Sequence, residues 1–177
     1  MKFRIILSVW TALFLSTAVL SAAQKERATN DDIFMNPESL IRGLYAAVSI
    51  DPGSTYDWNY VKKFFIPDVV FAVRMTRTSM AVLNLDEFVE WFKGDVKKYK
   101  MDERGFEETI QKIKMTVFGD MAQCFVVYKA RLKTQIDAPG TLGLDSFGLM
   151  KKDGRWWVVS ITNDIVTPQR PLPEELR

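Results

Sequence analysis

Gly154-Arg155-Trp156-Trp157-Val158-Val159-Ser160-Ile161-Thr162-Asn163-Asp164 reads as the last strand of a sheet, entered through the turn Lys152-Asp153-Gly154. An Asp-Gly pair is a strong hairpin signal, because both residues tolerate the left-handed backbone of a two-residue turn. Successive side chains of a strand point to opposite faces, so Trp156 and Trp157 part company. The pairs Val158–Val159 and Ser160–Ile161 repeat that pattern, and neither face is plainly wet. Such a strand is central or covered on both sides. We assign Trp156, Val158, Ser160 and Thr162 to the interior, and Trp157, Val159 and Ile161 to the outer face. A single bulge would exchange the two.

The covers come from the rest of the chain. Residues 142–151 form the preceding strand. Residues 106–118 and 121–134 form a long antiparallel hairpin about Gly119-Asp120, in which Ala122, Cys124, Val126, Tyr128, Ala130 and Leu132 alternate with Gln123, Phe125, Val127, Lys129, Arg131 and Lys133. Before them, Asn36-Pro37-Glu38 starts a helix with a cap, a proline at the first position and an early acid. Leu40, Ile41, Leu44, Tyr45 and Val48 form its stripe. A second short helix carries Trp58, Val61, Phe64 and Phe65 and ends at Pro67-Asp68. Residues 69–75 and 80–83 are short strands. Asn84 and Glu87 then form a capping box ahead of a third helix bearing Phe88, Phe92, Val96 and Tyr99, with Trp91 close by. The order predicts an α+β domain, with helices on one face of a strongly curved antiparallel sheet.

Several function classes fall away on composition. The chain has 177 residues, enough for one domain with a proper core. Residues 1–23 read as a signal peptide: Lys2 and Arg4, an apolar run, then Ser21-Ala22-Ala23. Cleavage near Ala23 implies a periplasmic or secreted protein. Lys2 and Arg4 are the only charges in that segment, so the remainder is formally neutral and global attraction to nucleic acid is not expected. Lys112, Lys114, Lys129, Arg131 and Lys133 read as a solvated face, since no aromatic ladder accompanies them. Histidine is absent, which removes Ser-His and Cys-His nucleophile arrangements and the commonest metal ligand. No metal-spaced cluster and no glycine-rich phosphate loop is present, so neither metal nor cofactor is expected. Cys124 is the single cysteine and alternates with core residues, as an inert buried thiol does. Residues 24–35 read as a flexible lead-in, 36–166 as the domain, and 167–177, with Pro168, Pro171 and Pro173, as a tail without regular structure.

Phe64-Phe65-Ile66-Pro67-Asp68-Val69-Val70-Phe71, Phe118-Gly119-Asp120-Met121-Ala122, and Asp145-Ser146-Phe147 with Gly154-Arg155-Trp156-Trp157 resemble the nuclear transport factor two-like superfamily, with its SnoaL-like and ketosteroid isomerase-like domains. The resemblance implies a cone with three N-terminal helices on the sheet and a pocket between them. It says little about activity, because the superfamily hosts enzymes, carriers and assembly modules. A steroid isomerase-like site would need a carboxylate base, a tyrosine and a protonated acid. The resemblance puts the base at Val73, which cannot take a proton, and the tyrosine at Leu44, one residue from Tyr45. Only the acid has a counterpart, Asp145, on the face of Phe147 and Leu149.

Tyr45, Trp58, Phe71, Trp91, Tyr128, Asp145, Phe147 and Trp156 are therefore the candidate pocket residues, with Asp145 the candidate acid. An acid facing an apolar pocket has its pKa raised and can donate to a ligand oxygen. The expected function is that of an exported domain binding a small, largely apolar molecule, without evident catalysis. The alternatives are an isomerase or hydro-lyase using Asp145, and an interaction module with a filled cone. Phe118, Phe125, Val127, Val159 and Ile161 would make an apolar outer patch. Because many relatives pair through the sheet, the resemblance implies a homodimer there.

Overall fold

The computed structural model describes residues 32–76 and 78–177. Residues 1–23, read above as a signal peptide, and residues 24–31 of the expected lead-in lie outside the described residues. Phe34–Arg177 forms a compact unit. Its elements in chain order are α1 (Pro37–Ala47), α2 (Trp58–Lys62), β1 (Phe65–Arg74), β2 (Met80–Leu83), α3 (Leu85–Tyr99), α4 (Met101–Arg104), β3 (Phe106–Phe118), β4 (Met121–Leu132), β5 (Thr141–Lys152) and β6 (Arg155–Ile165).

Local chemistry explains most boundaries. The Asn36 side chain accepts from the Glu38 and Ser39 amides at 2.9 and 3.1 Å and opens α1, with Pro37 as its first residue. Asn84 and Glu87 cap α3 reciprocally, at 2.9 and 3.0 Å. The β5–β6 turn uses positive φ at both Asp153 (52°) and Gly154 (80°), the geometry the Asp-Gly pair predicts.

The sheet has the order β2-β1-β6-β5-β4-β3. It is mixed rather than wholly antiparallel, because β1 pairs with β6 in parallel. The meander β3 to β6 runs back across the sheet and brings its last strand alongside β1 in the same direction. β1 also begins earlier than expected, at Phe65. Pro67 and Asp68 do not end a helix but lie where the β1–β6 register shifts, between Phe65 and Val70, a place where proline's missing N–H breaks no ladder. The lead-in is likewise shorter than expected. Phe34 is buried, with its ring 5.2 Å from that of Phe64 and 3.7 Å from the Arg155 guanidinium.

Two bulges shape the faces. In β6, Ser160 pairs with Gly148 and Val158 with Leu149, which leaves Val159 as an extra residue. The alternation therefore changes hands. Trp156 and Val158 are buried inside, but beyond the bulge Ile161 and Asn163 face inward in place of Ser160 and Thr162. In β3 the register shifts between Ile110 and Lys112. Both irregularities increase local twist and curl the sheet round its concave face.

The outer patch is smaller than its sequence implied. Ile161 faces inward. Val127 is outward but buried, because the tail returns to this face. Lys112, the ladder partner of Val127, donates to the Arg177 carbonyl at 2.6 Å, and Leu176 is 5% exposed. The tail is also more regular than its prolines suggest. Thr167 and Arg170 form a bridge, Arg170 donates to Asp164 at 3.0 Å, and Glu174–Leu176 is a 3-10 turn. Phe118 and Phe125 stay exposed. Leu176→Ala is expected to cost about 2 kcal/mol or more in urea unfolding, whereas Phe118→Ala should cost less than about 0.5 kcal/mol. Equal effects would show that the tail is not packed.

Candidate functional site

Between the helices and the concave sheet lies a cavity of about 850 Å³. Its walls are apolar and largely aromatic: Phe65, Phe71, Val73, Phe88, Trp91 and Phe92 are among its lining residues. In α3 only Val89 is fully buried. Phe88, Trp91, Phe92 and Tyr99 border the cavity, while Val96 packs against Ile50, Met101 and Phe106, which is how part of an ordinary amphipathic pattern becomes a pocket wall.

One group of polar side chains gathers on the inner sheet face. Asp145 and Asn163 are direct cross-strand partners, and Asn163 Nδ2 donates to Asp145 Oδ1 at 2.6 Å. Tyr45, from α1, donates its hydroxyl to Asp145 Oδ2 at 2.6 Å. Asn163 Nδ2 also donates to the Tyr128 hydroxyl oxygen at 2.9 Å. The rings of Tyr45 and Tyr128 are 5.7 Å apart. Tyr128 reaches this position over Gly143, its ladder partner. A Cβ there would sit 2.3 Å from the Tyr128 ring, so only glycine admits the phenol.

Glu108 lines the same cavity from β3, and among the described residues nothing hydrogen-bonds its carboxyl. Its amide donates to Ser49 Oγ at 3.1 Å, and Ser49 in turn donates to the Tyr45 carbonyl at 2.8 Å. That relay fixes the end of α1 against β3 and sets Tyr45 and Glu108 together. Part of the Glu108 surface opens on the cavity, yet protein encloses the group.

Enclosure sets the acid strengths. Desolvation pushes Glu108 up to about 8, and the neighbouring Asp145 charge adds to it. Desolvation raises Asp145 to about 6, while the bonds from Asn163 and Tyr45 hold it lower than burial alone would. Desolvation and the two acids push both tyrosines, Tyr45 and Tyr128, well above their ordinary value. The site thus offers one largely ionised acid and one largely neutral acid at neutral pH, side by side in an apolar enclosure.

No protein-family model matches the chain, and no curated protein does. Solved structures do. A protein with a cystatin-like fold from Caulobacter vibrioides is 16% identical, with a TM-score of 0.55 over 75% of this chain and 88% of that one. A domain with a cystatin-like fold from Nostoc punctiforme is 19% identical, with a TM-score of 0.50 over 78% of this chain and 79% of that one. An NTF2-like protein from Methylobacillus flagellatus, 15% identical, has a TM-score of 0.49 over 73% of this chain and 89% of that one. The chain has a cystatin-like fold. At these identities the likeness concerns the fold alone.

Within this fold, Tyr45, Phe71, Trp91, Tyr128, Asp145 and Phe147 all line the cavity. Trp58 does not. It stacks on Tyr56 with ring centroids 5.0 Å apart and meets Phe92 edge-on, behind the wall. Trp156 is buried but also outside the lining, on the stretch of β6 before the bulge. Val73, at the base position that the resemblance implies, is 4% exposed and apolar. Tyr45 reaches the acid from one residue beyond the position that the resemblance marks. Cys124 is fully buried, and burial, followed by the Glu38 charge, pushes its thiol up to about 12.

Sequence reasoning missed Glu108, Asn163 and Gly143. Glu108 shares strand parity with Phe106 and could have been found from it. Asn163 could not, because its orientation depends on the bulge. Both acids hold a proton more tightly folded than unfolded. Their contribution to stability is therefore complete below about pH 4 and lost as pH rises through about 6 for Asp145 and about 8 for Glu108. Glu108→Gln is expected to raise stability at about pH 8.5 by about 1–3 kcal/mol and to leave it unchanged near pH 4. Urea unfolding at the two pH values measures this, and an equal effect at both would contradict it.

Proposed function

We propose that this domain binds a small molecule with a mainly apolar body and one polar end, held in the cone with the polar end at Asp145 and Glu108. The observation that carries the proposal is the cavity itself: about 850 Å³ of space with aromatic walls and polar groups converging at one place. Ligand sites have this composition, in which apolar surface supplies affinity and a few fixed polar groups supply orientation. A pure interaction module would fill such a cone with side chains. Val73 leaves no base at the position that the resemblance to ketosteroid isomerase-like domains marks, so any catalysis would have to run through Asp145 and Glu108 themselves.

A neutral apolar dye, Nile red, provides the test. It is expected to bind saturably at one site per chain, with the emission shift of an apolar environment. Ala130 lines the cavity, and Ala130→Phe would fill part of it. That variant should weaken dye binding by roughly fivefold or more, in keeping with the loss of apolar contact area. Non-saturable binding, or binding indifferent to Ala130→Phe in a folded variant, would refute the proposal.

A further inference from the structure

The polar groups of the cavity are unequal in what they leave for a ligand. Tyr45 spends its hydroxyl hydrogen on Asp145. Asn163 spends its amide hydrogens on Asp145 and on the Tyr128 oxygen. What remains is mostly acceptor capacity: both oxygens of Glu108, further lone pairs of Asp145, and the Asn163 carbonyl oxygen. Of the two phenols beside Asp145, Tyr128 is the one that keeps its hydroxyl hydrogen.

The charged groups point the same way. Those electrostatically coupled to Glu108 are Tyr45 from α1, Tyr56 from the segment before α2, Tyr128 from β4 and Asp145 from β5, and all of them are acids. The basic residues that border the cavity are engaged elsewhere. Arg74 pairs with Asp164, Arg131 with Glu107, and Lys98 lies over the Tyr99 ring beside Asp95. None donates to Glu108 or Asp145.

We infer that the cavity takes an organic amine in its cationic form, its ammonium group between Glu108 and Asp145 and its apolar body along Phe88, Trp91 and Phe92. This rests on the binding reading of the cavity given above. An ammonium group brings hydrogen-bond donors to a floor rich in acceptors, and one positive charge to a pair of carboxyls that no cation among the described residues meets. Aromatic faces along the walls add cation–π attraction at short range. An inorganic cation would leave nearly all of the 850 Å³ empty, so the ligand needs a hydrocarbon body. The chemistry expected is that of an aralkyl or alicyclic amine.

Calorimetric titration with 2-phenylethylamine and its neutral analogue 2-phenylethanol, with Nile red as a control, decides the matter. At about pH 8 the amine should bind at least roughly tenfold more tightly than the alcohol, the scale of a charge-assisted contact in an enclosed site. Its affinity should fall as pH drops through about 8, where Glu108 takes up its proton, and again through about 6, below which both carboxyls are protonated. Glu108→Gln should weaken the amine by roughly tenfold and leave the alcohol within about twofold. Asp145→Asn should act in the same direction, although it also disturbs Tyr45 and Asn163. Alcohol binding as tight as amine binding, with affinity falling as pH rises, would overturn the inference and make Glu108 a proton donor to neutral ligands. Saturable Nile red binding without amine preference overturns the cation alone. Failure of all three probes to bind overturns the cavity reading as well.

Discussion

One extra residue in the last strand decides what the inner face of this sheet can do. With Val159 bulged out, β6 presents Trp156 and Val158 to the closed part of the interior and then Ile161 and Asn163 to the cavity. An unbroken strand would aim Ser160 and Thr162 there instead. Asn163 would face outward, Asp145 would lose one of its two donors, and Tyr128 would lose its partner. A bulge costs a strand little more than an unpaired residue, and in return it re-aims every side chain beyond it.

The cavity follows from a second constraint, the balance between helix and sheet. α1 packs tightly through Leu40, Ile41, Leu44 and Tyr45, and the Ser49 relay binds its end to β3. α3 buries only Val89 fully; Phe88 stacks on Phe71 with ring centroids 4.0 Å apart, yet Phe88, Trp91, Phe92 and Tyr99 all border the cavity. Rigid attachment on one side and open packing on the other keep Tyr45, Asp145, Asn163 and Tyr128 in fixed relation at the edge of the opening. The acids there are enclosed enough to resist ionisation, and burying a carboxyl without a full set of partners costs stability. Glu108 is the clearer case, because among the described residues no donor meets its carboxyl. A cost of this kind, kept at one place in a folded domain, is what a site for a charged ligand would require.

Much of the fold was legible because its signals are local. The Asp153-Gly154 turn, the hairpin about Gly119-Asp120, the proline-led start of α1 and the Asn84–Glu87 box each depend on a few adjacent residues. Asp145 was legible too, since it shares parity with Phe147 and Leu149 on a strand of regular register. The parts that were not legible depend on distant segments. The parallel pairing of β1 with β6 joins strands far apart in the chain. The burial of Val127 depends on a tail that its prolines made look irregular. The bulge at Val159 falls where both faces are apolar, so no break in alternation betrays it. Asn163 was hidden for that reason, and Trp58 and Trp156 were misplaced because bulk alone does not separate a pocket wall from the layer behind it.

The contact between Asn163 and Asp145 joins the bulge to the site, and the side-chain amide signals of Asn163 report on it directly. Followed by nuclear magnetic resonance from about pH 4 to pH 8, those signals should be protected from solvent exchange and should shift with a midpoint near the Asp145 value of about 6. Deletion of Val159 should abolish both properties in a chain that still folds. Rapidly exchanging signals that ignore the titration in the intact protein would mean that Asn163 faces solvent, and that the inner face is not built as described.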